Sequence, residues 1–258
     1  PILSGLVGSE MCIRDSYYIL GLYIIIMFEK IYNISDQGII CDFGNEITKE
    51  INAKVIGVFN YINNNLDIKN ELGIINCVPS YNKIVIQYDL LVTSSDAIIK
   101  YISSIKEHHL TYQNNQKKFE LPICYDTEYG LDLDSISKLN KISVEEIINL
   151  HNETNFYVYM MGFLPGFPFM GDLNNKLFTS RLTTPRVLVP ANSVAIVEKF
   201  CAIYPFESPG GWNIIGKTPT KLFEKNKKNP SLLYPGAQVK FKSISKKTLM
   251  IMESKHNE

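Results

Sequence analysis

The strongest restriction on the fold comes from the second half of the chain, where short β-type runs alternate with turns rich in glycine and proline. Helical periodicity disappears after residue 156, and the runs are FYVYMMGF, RVLVP, SVAIVEKFCAIYP, WNIIGK, QVKFKSI and TLMIME. Many short strands with no helices between them are typical of a sheet that closes on itself. The pattern therefore predicts a closed or nearly closed β-barrel.

Helices and strands alternate in the first half of the chain. GIICDFG reads as a strand, and residues 45–65 carry apolar side chains at the three- and four-residue spacing of an amphipathic helix. The runs GIINCVPS and NKIVIQYD predict a hairpin, and residues 93–109 predict a second helix. This β-α-β-β-α order predicts a small α+β sandwich with both helices on one side of an antiparallel sheet.

The polar stretch at 109–122 is predicted to link the two halves. A strand, LPICYD, and two helices, LDLDSISKLN and SVEEIINLHN, are predicted between this link and the barrel strands. The second helix begins with Ser143 and has Glu146 three residues later, which predicts a capping box. We predict an N-terminal α+β domain over 27–118 and a C-terminal β-barrel domain over 119–253.

The first 26 residues are excluded from this reasoning. Residues 17–28 are apolar over about a dozen positions, fewer than the ~20 that a membrane span requires. Acids precede this stretch and no small-residue cleavage site follows it, which argues against a signal peptide. Residues 1–16 resemble a translated sequencing adapter. We therefore expect 1–26 to be a non-native or disordered leader, with the folded chain beginning at Met27.

Charge and cysteine content narrow the class of protein. Lysine plus arginine and aspartate plus glutamate each number 26, and this balance argues against a nucleic-acid partner. The basic run KNKKNP at 225–230 is predicted to be a solvated loop. Five cysteines without a C-x-x-C pair favour free thiols and the cytoplasm. Neither a membrane partner nor a metal site is predicted, because the four histidines lack ligand spacing.

Candidate binding residues gather in the glycine- and proline-rich segments of the barrel region. Corners and bulges of a barrel account for about half of these glycines and prolines. The uncharged segment GFLPGFPFMG and the lone tryptophan after a Gly-Gly pair fit a small-molecule or partner-facing wall better. The predicted substrate-binding or partner-facing residues are Phe163, Pro165, Gly166, Phe167, Pro190, Tyr204, Pro209, Gly210, Gly211, Trp212 and Thr218. Phe163, Phe167 and Phe169 are expected to line a surface at the edge of the barrel.

Three residues are candidates for a catalytic role. Arg186, fixed between Pro185 and a β-run, is able to clamp a carboxylate or phosphate, or to form a structural ion pair. Lys217 follows the tryptophan-containing strand and is either functional or solvated. His151 lies on the apolar face of its helix near the C-terminal end, where it stabilises the helix as a cation, faces the domain junction or acts in catalysis.

A long stretch of motifs resembles one protein family. LPICYDTEYGLDLDSISKLNKISVEEIINLHNETNFYVYMMGFLPGFPFMGDL, followed by PRVLVPANSVAI, IYPFESPGGWNIIGKTP and YPGAQVKF, is similar to the B subunit of bacterial ATP-dependent 5-oxoprolinase. The same family is called allophanate hydrolase subunit 1 and includes an inhibitor of a sporulation histidine kinase. The likeness extends from about Met27 to about Ile251.

The resemblance implies a fold, a function and partners. It implies a small α+β N-terminal domain followed by a cyclophilin-like β-barrel domain. It also implies a non-autonomous enzyme component that acts with the C subunit and the A subunit of the same complex to convert 5-oxo-L-proline to L-glutamate. ATP would be the co-substrate, with Mg. Alternative functions within the family are inhibition of a histidine kinase and a carboxyltransferase role in urea metabolism.

The chain departs from the family pattern at three places. The family tends to have glycine where Asn192 stands, a basic residue at Leu188 and a Gly-Gly turn at Glu198 and Lys199. These positions fall on a turn and a strand edge, so the barrel is expected to survive the changes. Substrate contacts there cannot be transferred from the family.

Overall fold

The computed structural model describes residues 27–110 and 117–255, so the predicted leader 1–26, Cys12 and His256 lie outside the described residues. The helices are α1 (Lys49–Asn64), α2 (Leu66–Glu71), α3 (Ser95–Ser104), α4 (Leu133–Asn140), α5 (Val144–Glu153) and α6 (Lys246–Ser254). The strands are β1 (Lys30–Ser35), β2 (Gly38–Asp42), β3 (Ile74–Pro79), β4 (Lys83–Tyr88), β5 (Lys118–Ile123), β6 (Phe156–Met161), β7 (Pro168–Gly171), β8 (Arg186–Val189), β9 (Ser193–Val197), β10 (Phe200–Ile203), β11 (Ser208–Gly210), β12 (Asn213–Lys217) and β13 (Gln238–Ser243). Within the described ranges, no helix is long and apolar enough to cross a membrane.

The first half forms a four-stranded antiparallel sheet in the order β1-β2-β4-β3. Ile39 pairs with Ile86 and Cys41 with Ile84, so these four buried side chains share one face of the sheet. The buried residues of α1 and α3 belong to the same hydrophobic core, which places both helices on that face as predicted. The edge strand β1 and the short helix α2 were not predicted, because β1 has no fully buried residue and hence no clear alternation.

The second half contains a seven-stranded sheet in the order β12-β9-β10-β7-β6-β13-β5. Its two edges meet where Cys124 and Lys217 exchange backbone hydrogen bonds of 2.8 and 3.0 Å. A second hydrophobic core lies inside the resulting barrel, and α4 and α5 contribute Ile136 and Ile147 to it. The predicted α+β fold with a closed or nearly closed barrel is confirmed. The predicted domain boundaries at 27–118 and 119–253 stay predictions.

The run TLMIME, predicted as a strand, is helical and belongs to α6. Ser245 caps this helix by accepting a hydrogen bond from the Thr248 amide at 3.2 Å. Leu249 is the only buried residue of α6, and Met250 and Ile251 are exposed. The preceding strand β13 already has neighbours on both sides, so the run that follows it has no free edge of β13 to pair with.

Two tight turns border β9, at positions where the resemblance predicts glycine. The run SVAIVEKFCAIYP is two strands, and the turn between them places Glu198 at φ +46°. Asn192, just before β9, has φ +64°. Positive φ favours glycine because a Cβ atom crowds the backbone there. Glu198 is therefore strained in this conformation, whereas Asn192 is one of the residue types that tolerate it.

The two halves are joined by contacts from α1 and from the turn between β3 and β4. The buried side-chain amide of Asn52 donates to the carbonyl oxygens of Ser80, Tyr81 and Tyr159 at 3.2, 2.8 and 3.0 Å. Lys49 forms an ion pair with Asp172 at 2.8 Å. Because Tyr159 and Asp172 belong to the barrel half, these contacts link the two cores.

Candidate functional site

The glycine- and proline-rich segments come together outside the barrel wall and form what we call the Gly/Pro layer, residues 162–169, 185–190 and 204–212. The strands β9, β10 and β12 face the barrel core on one side and this layer on the other, so both faces of the strands are buried. The shared core of the layer and the wall contains Phe167, Val189, Ala195, Val197, Ala202, Tyr204, Trp212 and Ile214. Aromatic packing, with the Phe167 and Tyr204 ring centroids 5.0 Å apart, holds the layer in place.

The phenylalanines of GFLPGFPFMG have different environments. The expectation that all three line a surface is wrong for Phe167, which is 2% exposed, and Phe169 is only partly exposed. Phe163 is 65% exposed and lies in a turn at φ +68°. Pro168 begins β7 instead of ending the preceding strand, because this segment turns back and pairs with β6. One phenylalanine therefore faces solvent while the others anchor the turn.

Glycine is required at two positions in the layer. A Cβ atom on Gly210 would lie 2.5 Å from the Tyr204 hydroxyl oxygen. Gly166 has φ +78°, and a Cβ atom there would lie 2.7 Å from the Cβ of Phe223. These two glycines allow close packing against Tyr204 and Phe223, so their sequence pattern reflects packing as well as any contact with a ligand.

The outer part of the layer is a two-stranded ribbon of β8 and β11, in which Gly210 pairs with Arg186 and Ser208 with Val189. Val187 and Leu188 are consecutive strand residues that point to opposite faces, yet they are 88% and 58% exposed. Pro165, Pro190 and Pro209 are also exposed, whereas Gly211, Trp212 and Thr218 are buried. The layer thus presents an apolar, rigid rim to solvent.

Arg186 is fixed by an ion pair across the layer. Its Nη2 donates to Asp132 Oδ1 at 2.7 Å, and Asp132 Oδ2 accepts from the backbone N–H of Ile214 at 2.7 Å. Asp132 stands at the N-terminal end of α4 and is buried. Arg186 Nη1 is also buried and makes no hydrogen bond to any described residue. The guanidinium is therefore oriented by one carboxylate and keeps its Nη1 amino group for another acceptor.

Within the described ranges, the ribbon contains a second buried polar atom without a hydrogen-bond partner, in Ser208. The Ser208 hydroxyl is buried and has no hydrogen-bond partner among the described residues. Buried polar atoms are satisfied in the great majority of cases, and exceptions mark a ligand, a water or a function. Ser208 and Asp132 were not predicted as site residues. Asp132 could have been noticed as an acid at a helix start, but its partner lies 54 residues away in sequence.

Lys217 and Arg186 have different ion-pair partners. Its ammonium forms an ion pair with Glu253 of α6 at 2.8 Å and lies 5.5 Å from the centroid of the Tyr129 ring. The backbone of Lys217 closes the barrel with Cys124. Arg186 is tied through Asp132 to Ile214 at the other end of β12, so the two predicted cations do not share a contact in the described structure.

His151 lies inside the barrel core and has no exposed surface. Burial lowers the pKa of its imidazole from 6.5 to about 3, so the expectation of a helix-end cation is wrong. Nδ1 lies 2.7 Å from the Tyr125 hydroxyl, which donates to Asn152 Oδ1 at 3.1 Å. Nε2 lies 3.5 Å from Cys201 Sγ. The neutral tautomer with a proton on Nδ1 satisfies all these groups, and the enclosed ring does not reach a substrate in this structure.

The described residues offer no group of three or more histidine, cysteine, aspartate or glutamate side chains that could hold a metal ion. Cys41, Cys77, Cys124 and Cys201 are free thiols. Burial raises the pKa of the Cys41 and Cys77 thiols to about 12, with the charge of Cys77 adding to the effect at Cys41. These thiols are therefore packing residues, since reactive cysteines need a lowered pKa.

Comparison with known proteins identifies close relatives of this chain. The family model for carboxyltransferase domain, subdomains C and D, matches residues 29–233. The 5-oxoprolinase B subunit of Bacillus subtilis is 35% identical over 229 residues, covering 84% of this chain and 94% of that protein. The 5-oxoprolinase B subunit of Haemophilus influenzae is 37% identical over 174 residues, covering 67% of this chain and 81% of that protein.

A solved structure shares the fold. The crystal structure of TTHA0988 superposes with a TM-score of 0.71 at 28% identity and covers 82% of this chain. This chain spans 40% of the length of that protein. The family pattern that the motifs predicted is thus matched by sequence and by structure.

Proposed function

Because this chain belongs to the carboxyltransferase domain family, subdomains C and D, and has relatives named as the B subunit of 5-oxoprolinase, we propose that it is the B subunit of such an enzyme. In this proposal the assembly converts 5-oxo-L-proline to L-glutamate with hydrolysis of ATP. The C and A subunits are the partners, and the site is composite. The observation that carries the proposal is the 35% identity to the Bacillus subtilis protein, which extends over 94% of its length.

The Gly/Pro layer is the proposed contribution of this chain to the composite site. Its exposed rim of Phe163, Val187 and Leu188 is apolar, which suits a protein partner, and the aromatic core beneath it makes the rim rigid. Arg186 and Ser208 lie in the ribbon behind this rim with hydrogen-bonding capacity left over. A partner or ligand that supplies an acceptor at Arg186 Nη1 would satisfy the buried group, so binding would be favoured at this place.

The chemistry of the proposed reaction requires positive charge. A lactam carbonyl is a poor electrophile, and transfer of a phosphoryl group from ATP to its oxygen would create a leaving group. Such a transfer is stabilised by cations near the phosphoryl oxygens. We assign Arg186 to this role, or to the carboxylate of 5-oxoproline, because its guanidinium is oriented by Asp132. We do not assign a Mg ligand to this chain, because its described residues contain no group of side chains that could hold a metal ion.

The test of this function is reconstitution. Purified chain, mixed with its C and A subunits, should copurify with the C subunit and support glutamate formation that depends on both ATP and 5-oxoproline. Arg186→Ala should lower this turnover roughly 10- to 100-fold, the range expected when a charged transition-state contact is lost. Arg181→Ala is the matched control, because Arg181 is exposed and has no ion pair among those the structure gives. Equal turnover of both variants and the unmodified chain would contradict the role of Arg186.

The variant Lys217→Ala tests whether Lys217 has a catalytic or a structural role. Since Lys217 already pairs with Glu253, loss of turnover together with an equal loss in Glu253→Gln would indicate that the ion pair positions α6. Loss of turnover in Lys217→Ala alone would support a catalytic role. Thermal unfolding of each variant distinguishes lost activity from lost folding.

The family name supports a second candidate function. The matched family is described as a carboxyltransferase domain, so transfer of a carboxyl group to urea or a related amide is the alternative. The assay that separates the two is carboxylation of urea by the same reconstituted proteins with a carboxybiotin donor. Activity there, with no glutamate formed from 5-oxoproline, would favour the alternative.

A further inference from the structure

The basic run at 225–230 is exposed throughout, as predicted for a solvated loop, and the loop that carries it is anchored at both ends. Leu222 and Leu233, which bracket the loop, are 2% and 1% exposed and belong to the barrel core. The Glu224 amide donates to the Pro230 carbonyl at 2.8 Å, and the Leu232 amide donates to the Leu222 carbonyl at 2.9 Å. These bonds fold the loop back on itself and anchor its backbone to the barrel.

A cavity of about 610 Å³ lies between this loop and the start of β5. Phe119 and Tyr234 form an apolar part of its wall, with ring centroids 6.1 Å apart at an interplanar angle of 77°. Small-molecule sites usually have volumes of about 300–1,000 Å³ and combine apolar walls with a few polar groups. We call this cavity the loop pocket. Its described lining residues are all different from those of the Gly/Pro layer.

The charges on the walls of the loop pocket are unbalanced. Lys117, Lys221 and Lys227 line it together with Glu224, so three of its four charged lining side chains are basic. Glu224 pairs with Lys227 at 2.6 Å, while the Lys117 ammonium lies 4.9 Å from the centroid of the Phe119 ring. The chain as a whole carries equal numbers of basic and acidic residues. The positive charge is therefore concentrated locally beside two aromatic rings.

From this combination we propose that the loop pocket binds an organic phosphate of nucleotide size. Lysine ammonium groups suit phosphate oxygens, which accept charge-assisted hydrogen bonds. Phe119 and Tyr234 pack edge to face against each other and give the pocket an aromatic wall, which suits a planar base better than a bare inorganic anion. Asn229 and Ser231 add side-chain groups that hydrogen-bond a sugar or a phosphate. The inference stands without the proposed function, because it uses other residues.

Calorimetric titration of the full chain with ATP, AMP, adenosine and inorganic tripolyphosphate tests the proposal. Binding should follow the order ATP, then AMP, then adenosine, and tripolyphosphate should bind more weakly than ATP because it lacks a ring. Lys117→Ala with Lys221→Ala should weaken ATP binding at least ~10-fold. The matched control is Lys225→Ala with Lys228→Ala, which removes two positive charges from the same loop but from outside the pocket wall. This control should change binding less than ~3-fold.

Three results would overturn the proposal. They are no ATP binding by the unmodified chain, an equal loss of affinity in both double variants, and tripolyphosphate binding as tightly as ATP. Tyr234→Leu is a further variant, and it should weaken ATP but not tripolyphosphate. Unfolding temperatures of all variants ensure that the comparison is made between folded proteins. The titrations use this chain without the C and A subunits, so a failure of the proposed 5-oxoprolinase activity would not be mistaken for a failure of the loop pocket.

Discussion

Burial of His151 makes the stability of the barrel half depend on pH in a defined direction. The imidazole has no exposed surface, and burial lowers its pKa from 6.5 to about 3. Above about pH 7 the ring is neutral in both the folded and the unfolded chain, so its contribution to stability is fully present. Below pH 6.5 the unfolded chain takes up a proton that the folded chain refuses. Stability is therefore lost as the pH falls from 6.5 toward 3.

The magnitude follows from the two pKa values. Between them the free energy of unfolding falls by about 1.4 kcal/mol per pH unit, so lowering the pH from 7 to 5 costs about 2 kcal/mol. With a urea dependence of about 2 kcal/mol per M, the unfolding midpoint should fall by roughly 1 M. The groups that face the ring are the Tyr125 hydroxyl, the Cys201 thiol and the rings of Phe156 and Phe241, and none of them carries a charge that would stabilise an imidazolium.

Urea unfolding at pH 7, 6 and 5 measures this effect. Trp212, the only tryptophan, is buried against the barrel wall, so its fluorescence follows the unfolding of this half. His151→Gln removes the titrating group, and the part of the pH dependence worth about 2 kcal/mol should disappear even if the variant is less stable at pH 7. His108→Gln is the control, because His108 is exposed and should leave the slope unchanged. An identical pH slope in His151→Gln and the unmodified chain would refute the reasoning.

Two further substitutions test the junction and the turns by urea unfolding at pH 7. Asn52→Ala should lower stability by about 2 kcal/mol, because the buried bond to Tyr159 and the part-buried bonds to Ser80 and Tyr81 are lost, and Asn52→Asp should be worse although it has the same shape. If Asn52→Asp were no less stable than Asn52→Ala, the amide would not hold the two cores together as we describe. Glu198→Gly should raise stability by about 1 kcal/mol by relieving φ +46° in an exposed turn, while Lys199→Gly at the neighbouring exposed position should lower it. An equal loss from both glycine substitutions would show that Glu198 is not strained.

Much of the fold could be predicted because its information is local. The spacing of apolar residues in α1 and the alternation in β4 each indicate which face is buried, and the Gly/Pro turns after residue 156 separate the barrel strands. The error at α6 shows the limit of this reasoning. An apolar run can form a strand only where a neighbouring edge is free, and edge availability depends on how the whole barrel closes.

The candidate site could be predicted only in part, since its key relations are between distant segments. The sequence indicated that Arg186 and the Gly/Pro segments were unusual, and the motifs indicated the family. That Arg186 would meet Asp132, that Lys217 would meet Glu253 and that the basic loop would enclose a cavity follow from contacts across many residues.

The sequence by itself determined the barrel, the helical pairs and the family, because hydrophobic periodicity and turn residues act over a few positions. Tertiary structure decided which chemically capable side chains are available. His151 is a plausible catalytic residue in the sequence, yet packing encloses it and makes it neutral. Phe167 and Phe163 differ by four positions in one motif, and only the folding of the layer over the barrel wall buries one and exposes the other. Burial is a property of the assembled chain, since it depends on every segment that packs around a residue.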